Sequence, residues 1–167
     1  MTAPAVVSVR LADPEATEAA GAGLGRAWLD VASAGAVVTL EGELGAGKTT
    51  LMRGLLRALG ERGPVRSPTY TLIESYRLPA GLAVHHLDCY RIDGWQAVEE
   101  LGLRDLLAPG ALVAIEWASR ADGLVASADL NLELAVDGDG RRLSARARSA
   151  CGEAWLAHWA VPAPVGR

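Results

Sequence analysis

Lysine is almost absent from this chain, and phenylalanine is absent altogether. The 167 residues include fifteen arginines but a single lysine, Lys48. Arginine therefore occupies every other basic position. The lone lysine marks a position where a compact ammonium is hard to replace by a broad guanidinium. Without phenylalanine, we expect a core built mainly from alanine, leucine and valine.

Cysteine is also scarce, and neither charge nor hydrophobicity is extreme. Cys89 and Cys151 are far apart and in no metal-ligand spacing, which favours two reduced thiols over a metal site. The net charge of −4 argues against a protein that holds nucleic acid by its own bulk electrostatics. No apolar run approaches membrane-spanning length and the N-terminus shows no signal pattern, so we expect a cytoplasmic protein with no membrane partner.

The lone lysine lies in a glycine-rich stretch that fits the phosphate-binding loop pattern G-x-x-x-x-G-K-[ST] at every fixed position. The stretch consists of Gly42, Glu43, Leu44, Gly45, Ala46, Gly47, Lys48 and Thr49, with Thr50 next. In such loops backbone N–H groups surround the phosphates, the lysine reaches the β- and γ-phosphates, and the final hydroxyl binds Mg²⁺. A glycine-rich turn that merely precedes a helix is the weaker alternative.

The residues around this loop predict the strand and the helix that the motif requires. Residues 36–40 form a short apolar, β-branched run of strand length. After the loop, leucine and methionine recur at helical spacing from Leu51 to Leu59, and Gly60 follows as a stop signal. This order would bring the loop N–H groups and the helix N-terminus to the phosphates.

The rest of the chain alternates between helix and strand patterns. We predict helices near 13–33, 94–101, 103–107 and 152–159, and strands at 71–76, 82–87, 111–115, 130–136 and 143–148, the last two joined by a hairpin turn. This pattern favours an α/β fold of the P-loop NTPase-like type, a three-layer sandwich with a mixed, mostly parallel central sheet. We predict one domain over residues 1–160 and a Pro-rich C-terminal tail at 161–167.

Two of the predicted strands end in a carboxylate. A phosphate-binding loop needs acidic partners to hold Mg²⁺ and to position an attacking water. Glu116 follows the run at 111–115, and Asp88 follows the run at 82–87. Because parallel strands deliver their C-terminal ends to one crevice, we expect both carboxylates to meet there and to face solvent. The alternative for each is an exposed strand-end acid without a role.

Two other features favour a structural interpretation over a functional one. Gly21, Gly23 and Gly25 partly match a dinucleotide-binding motif, but we predict no strand before them, and helix glycines also allow close packing. His85 and His86 are adjacent and point to opposite faces of a strand, which makes them a poor metal pair. We expect one packed ring and one solvated ring.

A basic stretch and a tryptophan leave two interpretations open. The arginines from Arg53 to Arg66 form an ordinary solvated helix face or a contact for an acidic partner or RNA, and we slightly favour the former. Trp117 directly follows Glu116 and is either a core residue or a residue that lines the nucleotide site.

Further stretches of the chain, taken in order with the loop, match one known family. They are Ser67-Pro68-Thr69-Tyr70-Thr71-Leu72, His86-Leu87-Asp88-Cys89-Tyr90-Arg91, Glu99-Glu100-Leu101-Gly102 and Glu116-Trp117. From about Asp13 to Trp155 the chain resembles the TsaE (YjeE) family, and the stretch from Ser67 to Leu72 is more family-specific than the loop. This is a family of small bacterial ATPases needed to make N6-threonylcarbamoyladenosine in tRNAs that read codons starting with A.

The resemblance implies how the chain would hold ATP. Lys48 and the backbone amides from Gly42 to Thr50 would bind the phosphates. Arg141, which follows the predicted hairpin turn, would reach the nucleotide, as would Thr17 near the N-terminus.

The resemblance also implies the catalytic and metal-binding residues. Lys48, Asp88 and Glu116 would be catalytic, and Mg²⁺ would be held by Thr49 and Glu116 with Asp88 close by. Asp88 would lie beside the γ-phosphate in a switch-like segment that begins near Ser67.

Partner proteins follow from the resemblance as well. The family implies a complex with the TsaB–TsaD heterodimer, in which TsaD transfers the threonylcarbamoyl group and bound ATP resets the assembly between turnovers. tRNA would be met only indirectly, through that complex. No arginine finger is evident near the loop, so we expect a Mg²⁺-dependent ATPase that is weak alone and stimulated by its partners.

From the residues alone, two other functions stay open. A free-standing small-molecule kinase usually has an arginine-bearing lid; no lid insertion is evident, although Arg91 and Arg120 could serve. The second is a non-enzymatic protein whose interaction surface is ordered by nucleotide. A Ras-like GTP switch is excluded, because its Asn/Thr-Lys-x-Asp motif needs a second lysine.

Overall fold

The structure, a computed structural model, describes residues 5–31 and 35–161. The strands are β1 (Val6–Leu11), β2 (Ala36–Glu41), β3 (Ile73–Arg77), β4 (Ala83–Asp88), β5 (Ala111–Glu116), β6 (Leu130–Asp137) and β7 (Gly140–Ala147). The helices are α1 (Pro14–Leu29), α2 (Lys48–Ala58), α3 (Trp95–Glu100), α4 (Leu103–Leu106), α5 (Leu124–Ser127) and α6 (Ala150–His158).

All of these strands belong to one seven-stranded sheet with the order β1-β7-β6-β2-β5-β4-β3. Strands β6, β2, β5 and β4 form its parallel centre. The pairs β1–β7, β6–β7 and β3–β4 are antiparallel, so that β3 and β7 run against the other strands. The prediction of a mixed sheet, with most strands in one direction, is confirmed.

Strand β5 lies inside the sheet, between β2 and β4, and is buried on both faces. Leu112 and Ala114 pack into one hydrophobic cluster, which also contains side chains of α1, α2 and α6. Val113 and Ile115 point the other way, into a second cluster formed with side chains of α3, α4 and α5. Alternate residues of one strand thus serve two helical layers, as the predicted three-layer sandwich requires.

Helices α1 and α2 pack so closely that glycine is required where they meet. A Cβ at Gly21 would lie 1.9 Å from the carbonyl oxygen of Leu51, and one at Gly54 would lie 1.9 Å from that of Glu18. The glycines of α1 therefore serve packing, as predicted. The expectation that no strand precedes them is wrong, because β1 runs from Val6 to Leu11.

The predicted ends of several elements shift by a few residues. Helix α1 begins after Asp13, whose Oδ1 accepts a 2.7 Å hydrogen bond from the backbone N–H of Ala16, and it ends at Leu29 rather than near Ser33. Ser33 lies outside the described residues, as does the predicted tail beyond Val161. Strands β6 and β7 are paired around a turn after Asp137, which confirms the predicted hairpin.

Within the residues that the structure describes, no helix combines the length and the apolar character needed to cross a membrane.

Candidate functional site

The glycine-rich loop connects β2 to α2, in the order that the sequence predicts. Helix α2 begins at Lys48, and Gly47 before it has a φ of +108°, a conformation that glycine adopts at little cost. The loop is closed by a 3.0 Å hydrogen bond from the backbone N–H of Ala46 to the carbonyl oxygen of Glu43. A tight loop therefore leads directly into a helix N-terminus, the arrangement that suits anions.

Lys48 lies inside this loop rather than in solvent. Only 6% of the residue is exposed. Its Nζ donates hydrogen bonds to the carbonyl oxygens of Gly42 and, at 3.1 Å, Glu43. The same ammonium lies 4.7 Å from the ring centroid of Trp117. Backbone carbonyls of the phosphate-binding loop therefore hold the ammonium of Lys48. Trp117 borders the site and is not an ordinary core residue.

One cavity of about 310 Å³ brings the predicted metal and catalytic residues together with part of the predicted phosphate loop. Gly42, Glu43 and Ala46 of that loop do not line it. Its walls come from the loop and α2, from the segment after α2, and from the ends of β4 and β5. The lining residues are Leu44, Gly45, Gly47, Lys48, Thr49, Thr50, Ser67, Thr69, Asp88, Glu116 and Trp117. Lys48 is the only lysine or arginine among these described lining residues.

The two strand-end carboxylates face each other across neighbouring strands. Asp88 and Glu116 are paired in the register of β4 and β5. The expectation that they face solvent is wrong, since their exposed fractions are only 2% and 3%. They are buried because the helix N-terminus and the segment after α2 cover the edge of the sheet where the strands end.

Each buried carboxylate has hydrogen-bond donors of its own. Oδ1 of Asp88 accepts from the backbone N–H of Tyr90 at 2.8 Å, and Oδ2 accepts from the hydroxyl of Thr69 at 3.0 Å. Oε1 of Glu116 lies 2.7 Å from Nε2 of His86. Buried carboxylates that are hydrogen-bonded in this way stay fixed in orientation, which a metal site needs.

The donor set of the cavity suits Mg²⁺ better than metals that need an all-protein cage. No group of three or more His, Cys, Asp or Glu side chains suited to a metal occurs in residues 5–31 and 35–161. The cavity instead offers the hydroxyl of Thr49 and the carboxylates of Glu116 and Asp88. Mg²⁺ takes one or two carboxylates and completes its coordination with phosphate oxygens and water.

A second cavity of about 210 Å³ adjoins the loop on the side of α1 and β7. Thr17 and Arg141 line it, as the resemblance implies. The hydroxyl of Thr17 donates to the carbonyl oxygen of Asp13 at 3.2 Å. Arg141 donates from Nε to the carbonyl oxygen of Ala46 at 3.0 Å and from Nη2 to that of Gly45 at 3.2 Å. An arginine does therefore touch the loop, but its donors are used to hold the loop backbone.

His86 is a site residue that the sequence patterns alone did not identify. The ring is fully buried and contacts Glu116, whereas His85 is partly exposed and its Nδ1 lies 2.8 Å from the hydroxyl of Ser75. The prediction of one packed and one solvated histidine holds. The packed ring, however, has a polar partner in the site, and that contact joins residues 30 positions apart in the chain.

The segment from Ser67 to Leu72 directly precedes β3, and its Ser67 and Thr69 line the cavity. The hydroxyls of Ser67 and Thr69 lie 2.8 Å apart, and Leu72 accepts a 3.0 Å hydrogen bond from the backbone N–H of Asp88. Leu72 has a φ of +66°, a left-handed conformation that costs a residue with a side chain about 1 kcal/mol or more. The predicted switch-like segment is thus joined to the site at both Thr69 and Leu72.

Two of the four arginines in the basic stretch after the loop contact other parts of the fold. Arg57 donates to the carbonyl oxygens of Glu61 at 2.9 Å and Gly63 at 2.7 Å, which closes the turn after α2. Arg53 lies 3.9 Å from a carboxylate oxygen of Glu18 on α1. These contacts support the structural interpretation for both arginines.

Comparison with known proteins identifies the family. A family model described as "Threonylcarbamoyl adenosine biosynthesis protein TsaE" matches residues 11–144, which includes the loop, both carboxylates and Arg141. The chain belongs to the TsaE family.

Similar proteins are found in several bacteria, and the three described here bear the name "tRNA threonylcarbamoyladenosine biosynthesis protein TsaE". The TsaE of Haemophilus influenzae is 38% identical over 117 residues, which cover 70% of this chain and 73% of that protein. The TsaE of a Nostoc species is 39% identical over 134 residues, covering 72% and 73%. The TsaE of Bacillus subtilis is 34% identical over 133 residues, covering 80% of each chain.

A solved structure shows the same fold. The crystal structure of YdiB from Bacillus subtilis superimposes with a TM-score of 0.70 at 29% sequence identity, over 95% of this chain and 97% of that one. The predicted α/β fold and the predicted TsaE resemblance are both confirmed.

Proposed function

We propose that this TsaE-family chain is the Mg²⁺-dependent, ATP-binding and ATP-hydrolysing component of the cytoplasmic machinery that makes N6-threonylcarbamoyladenosine in tRNA. The observation that carries the ATPase part is the single cavity in which Lys48, Thr49, Asp88 and Glu116 meet. The tRNA part is supported by family membership and by the names of the relatives.

The two cavities beside the loop suit the two halves of a nucleotide. Gly45, Gly47 and Thr50 line both cavities, so that one molecule could extend from one to the other. Phosphates would lie in the larger cavity against Lys48 and the loop N–H groups. The nucleoside would lie in the smaller one, beside Thr17 and Arg141. To bind phosphate, the Lys48 ammonium would exchange its backbone carbonyl partners for phosphate oxygens.

The acidic side of the larger cavity supplies the metal ligands and a base. The Thr49 hydroxyl and Glu116 would hold Mg²⁺, which neutralises charge on the phosphates when it is bound. Asp88 is fixed by Thr69 and Tyr90 and would orient the attacking water beside the γ-phosphate. These residues position the reactants, which is the main task of a protein in phosphoryl transfer.

Slow hydrolysis by the isolated chain follows from the arginines around the site. Arg141 is engaged by backbone carbonyls, while Arg91 and Arg120 lie 4.7 Å and 4.9 Å from the ring centroids of Tyr70 and Tyr90. A positive group that neutralises transition-state charge is worth about 10³–10⁵ in rate in related hydrolases. We propose that the TsaB–TsaD heterodimer completes the site, and that tRNA is met only through this complex.

The tRNA role can be tested in cells. A strain that depends on this chain for its TsaE function should lose N6-threonylcarbamoyladenosine from its tRNA when the chain is depleted, as measured by mass spectrometry of digested nucleosides. The wild-type chain should restore the modification, whereas a Lys48→Ala chain at equal abundance should not. A normal level of the modified nucleoside after depletion would contradict the proposal and would favour the alternative of a free-standing small-molecule kinase.

A further inference from the structure

We infer that His86 is a positioning residue that holds Glu116 in the orientation needed to bind Mg²⁺. This inference rests on the proposed function, because it concerns the metal site of the same cavity. The motivating observation is the buried 2.7 Å contact between Nε2 of His86 and Oε1 of Glu116.

The contact runs diagonally across two parallel strands. In the register of β4 and β5, His86 is opposite Ala114 and Asp88 is opposite Glu116. The imidazole therefore lies one pleat below the carboxylates, under the floor of the cavity. Its side chain is 0% exposed and that of Glu116 is 4% exposed, so that water does not compete for the hydrogen bond.

The direction of the hydrogen bond follows from the chemistry of the two groups. A carboxylate that binds Mg²⁺ is ionised and can only accept hydrogen bonds, so in the proposed site Nε2 of His86 carries the hydrogen and donates a hydrogen bond to Oε1. Among the described residues, Oε1 is the only Glu116 oxygen with a hydrogen-bond partner. One oxygen is thus anchored from below, and the other is left for a cation in the cavity.

The other ring nitrogen indicates that the histidine is not there for packing alone. Nδ1 is buried and has no hydrogen-bond partner among the described groups, which is a cost that an apolar side chain would not carry. The backbone ladder from Ala83 to Asp88 already joins β4 to β5, so the strands do not need this contact for their register. What the imidazole adds is a fixed donor for one metal-binding carboxylate.

Two amide variants separate positioning from packing. In His86→Gln the terminal NH₂ group occupies about the place of Nε2 and can donate to Glu116, whereas the shorter side chain in His86→Asn matches Nδ1 and cannot reach it. We would measure the affinity for a non-hydrolysable ATP analogue by calorimetry, once with Mg²⁺ and once with EDTA. Electron paramagnetic resonance of Mn²⁺ in place of Mg²⁺ gives a second readout that does not depend on turnover.

We expect His86→Asn to lose selectively the gain in affinity for the ATP analogue that Mg²⁺ provides. With EDTA, both variants should bind the analogue within about twofold of wild type. The gain in affinity on adding Mg²⁺ should fall by roughly tenfold or more in His86→Asn, as is typical when a partner of a metal ligand is removed. In His86→Gln the gain should return to within about threefold of wild type.

A double-mutant cycle covers the case in which His86→Asn lowers stability. In a Glu116→Gln background, His86→Asn should cause no further loss of the Mg²⁺-dependent gain. A wild-type gain in His86→Asn, an equal loss in both amide variants, or a further loss in the double mutant would each overturn the inference. If the wild-type chain itself binds the analogue but shows no gain with Mg²⁺, the proposed metal site fails as well, and the two failures are distinguished.

Discussion

The hydroxyl of Thr69 donates a 3.0 Å hydrogen bond to Oδ2 of Asp88, across 19 positions of sequence. This bond joins the segment after α2 to a carboxylate that ends β4. Asp88 also donates its backbone N–H to Leu72, so that the segment is held at two points beside the cavity. If ATP binds as proposed, Asp88 is the residue through which residues 67–72 would respond to the γ-phosphate.

Loss of the Thr69 hydroxyl should remove one of the two contacts that join this segment to Asp88. Thr69→Val keeps the shape of the side chain and removes the donor, whereas Thr69→Ser keeps the donor. We expect partner-stimulated ATP hydrolysis to fall by roughly tenfold in the valine variant, since an oriented charge-assisted hydrogen bond is worth about 1.5–3 kcal/mol. The serine variant should stay near wild type; equal rates in the valine variant and the parent would show that the bond has no part in hydrolysis.

The lone lysine should dominate ATP affinity. Lys48→Ala removes a charge-assisted contact to phosphate, which we expect to cost roughly 1.5–3 kcal/mol, or about 10- to 100-fold in Kd. Lys48→Arg should be affected less, because it keeps the charge but not the compact shape. Calorimetric titration with ATP measures the effect, and Arg62→Ala, at an exposed position after α2, is the control. Wild-type affinity in Lys48→Ala would remove the phosphate role from this loop.

Neutral substitutions of the two carboxylates should lower both stability and activity. Asp88→Asn puts an NH₂ group in place of one of the two oxygens that accept from Thr69 and Tyr90, whereas Glu116→Gln can keep its amide oxygen on Nε2 of His86. Both variants replace a charge-assisted hydrogen bond by a weaker neutral one, which we expect to cost up to about 1–3 kcal/mol. For a chain of this size that is a fall in Tm of roughly 2–12 °C. Stimulated ATP hydrolysis should fall by about 10²-fold or more. Variants that remain folded at the assay temperature and turn over ATP like the parent would refute both catalytic roles.

The two thiols should differ in reactivity and report on the site. Burial, with smaller contributions from Asp88 and Glu41, raises the pKa of Cys89 to about 12. Cys151 is only half-buried, and burial raises the pKa of its thiol too. At pH 8 a thiol reagent should modify Cys151 first and reach Cys89 only when the structure opens locally. Mass mapping over time measures the order, and fast modification of Cys89 in the folded chain would contradict its burial.

Local patterns were enough to predict the loop, its flanking elements and the hairpin. Each of these depends on residues that are close in sequence, such as the glycines and Lys48 of the loop or the turn after Asp137. The same kind of pattern exists in β1, where Val7, Val9 and Leu11 alternate with Ser8 and Arg10, so local sequence supports this strand too, against the expectation that none precedes α1.

The contacts that build the site depend on the assembled sheet, so sequence patterns could not predict them. His86 meets Glu116 because β4 and β5 are neighbours in a particular register, although the two residues are 30 positions apart. The burial of both carboxylates likewise arises from the helix and the segment that cover the strand ends. A carboxylate at the end of a strand is expected to be exposed when only the strand pattern is known. The pattern does not show that the helix and the segment lie over the strand ends.

The decisive measurement compares ATP turnover by the pure chain with turnover after addition of the TsaB–TsaD heterodimer. The proposed function predicts that the chain alone binds Mg²⁺·ATP but hydrolyses it slowly, since no arginine among the described residues lines the cavity of Lys48, Asp88 and Glu116. Addition of the heterodimer should raise the rate by at least tenfold, and the increase should be lost in Asp88→Asn. Fast hydrolysis by the chain alone, unchanged by the heterodimer, would contradict it.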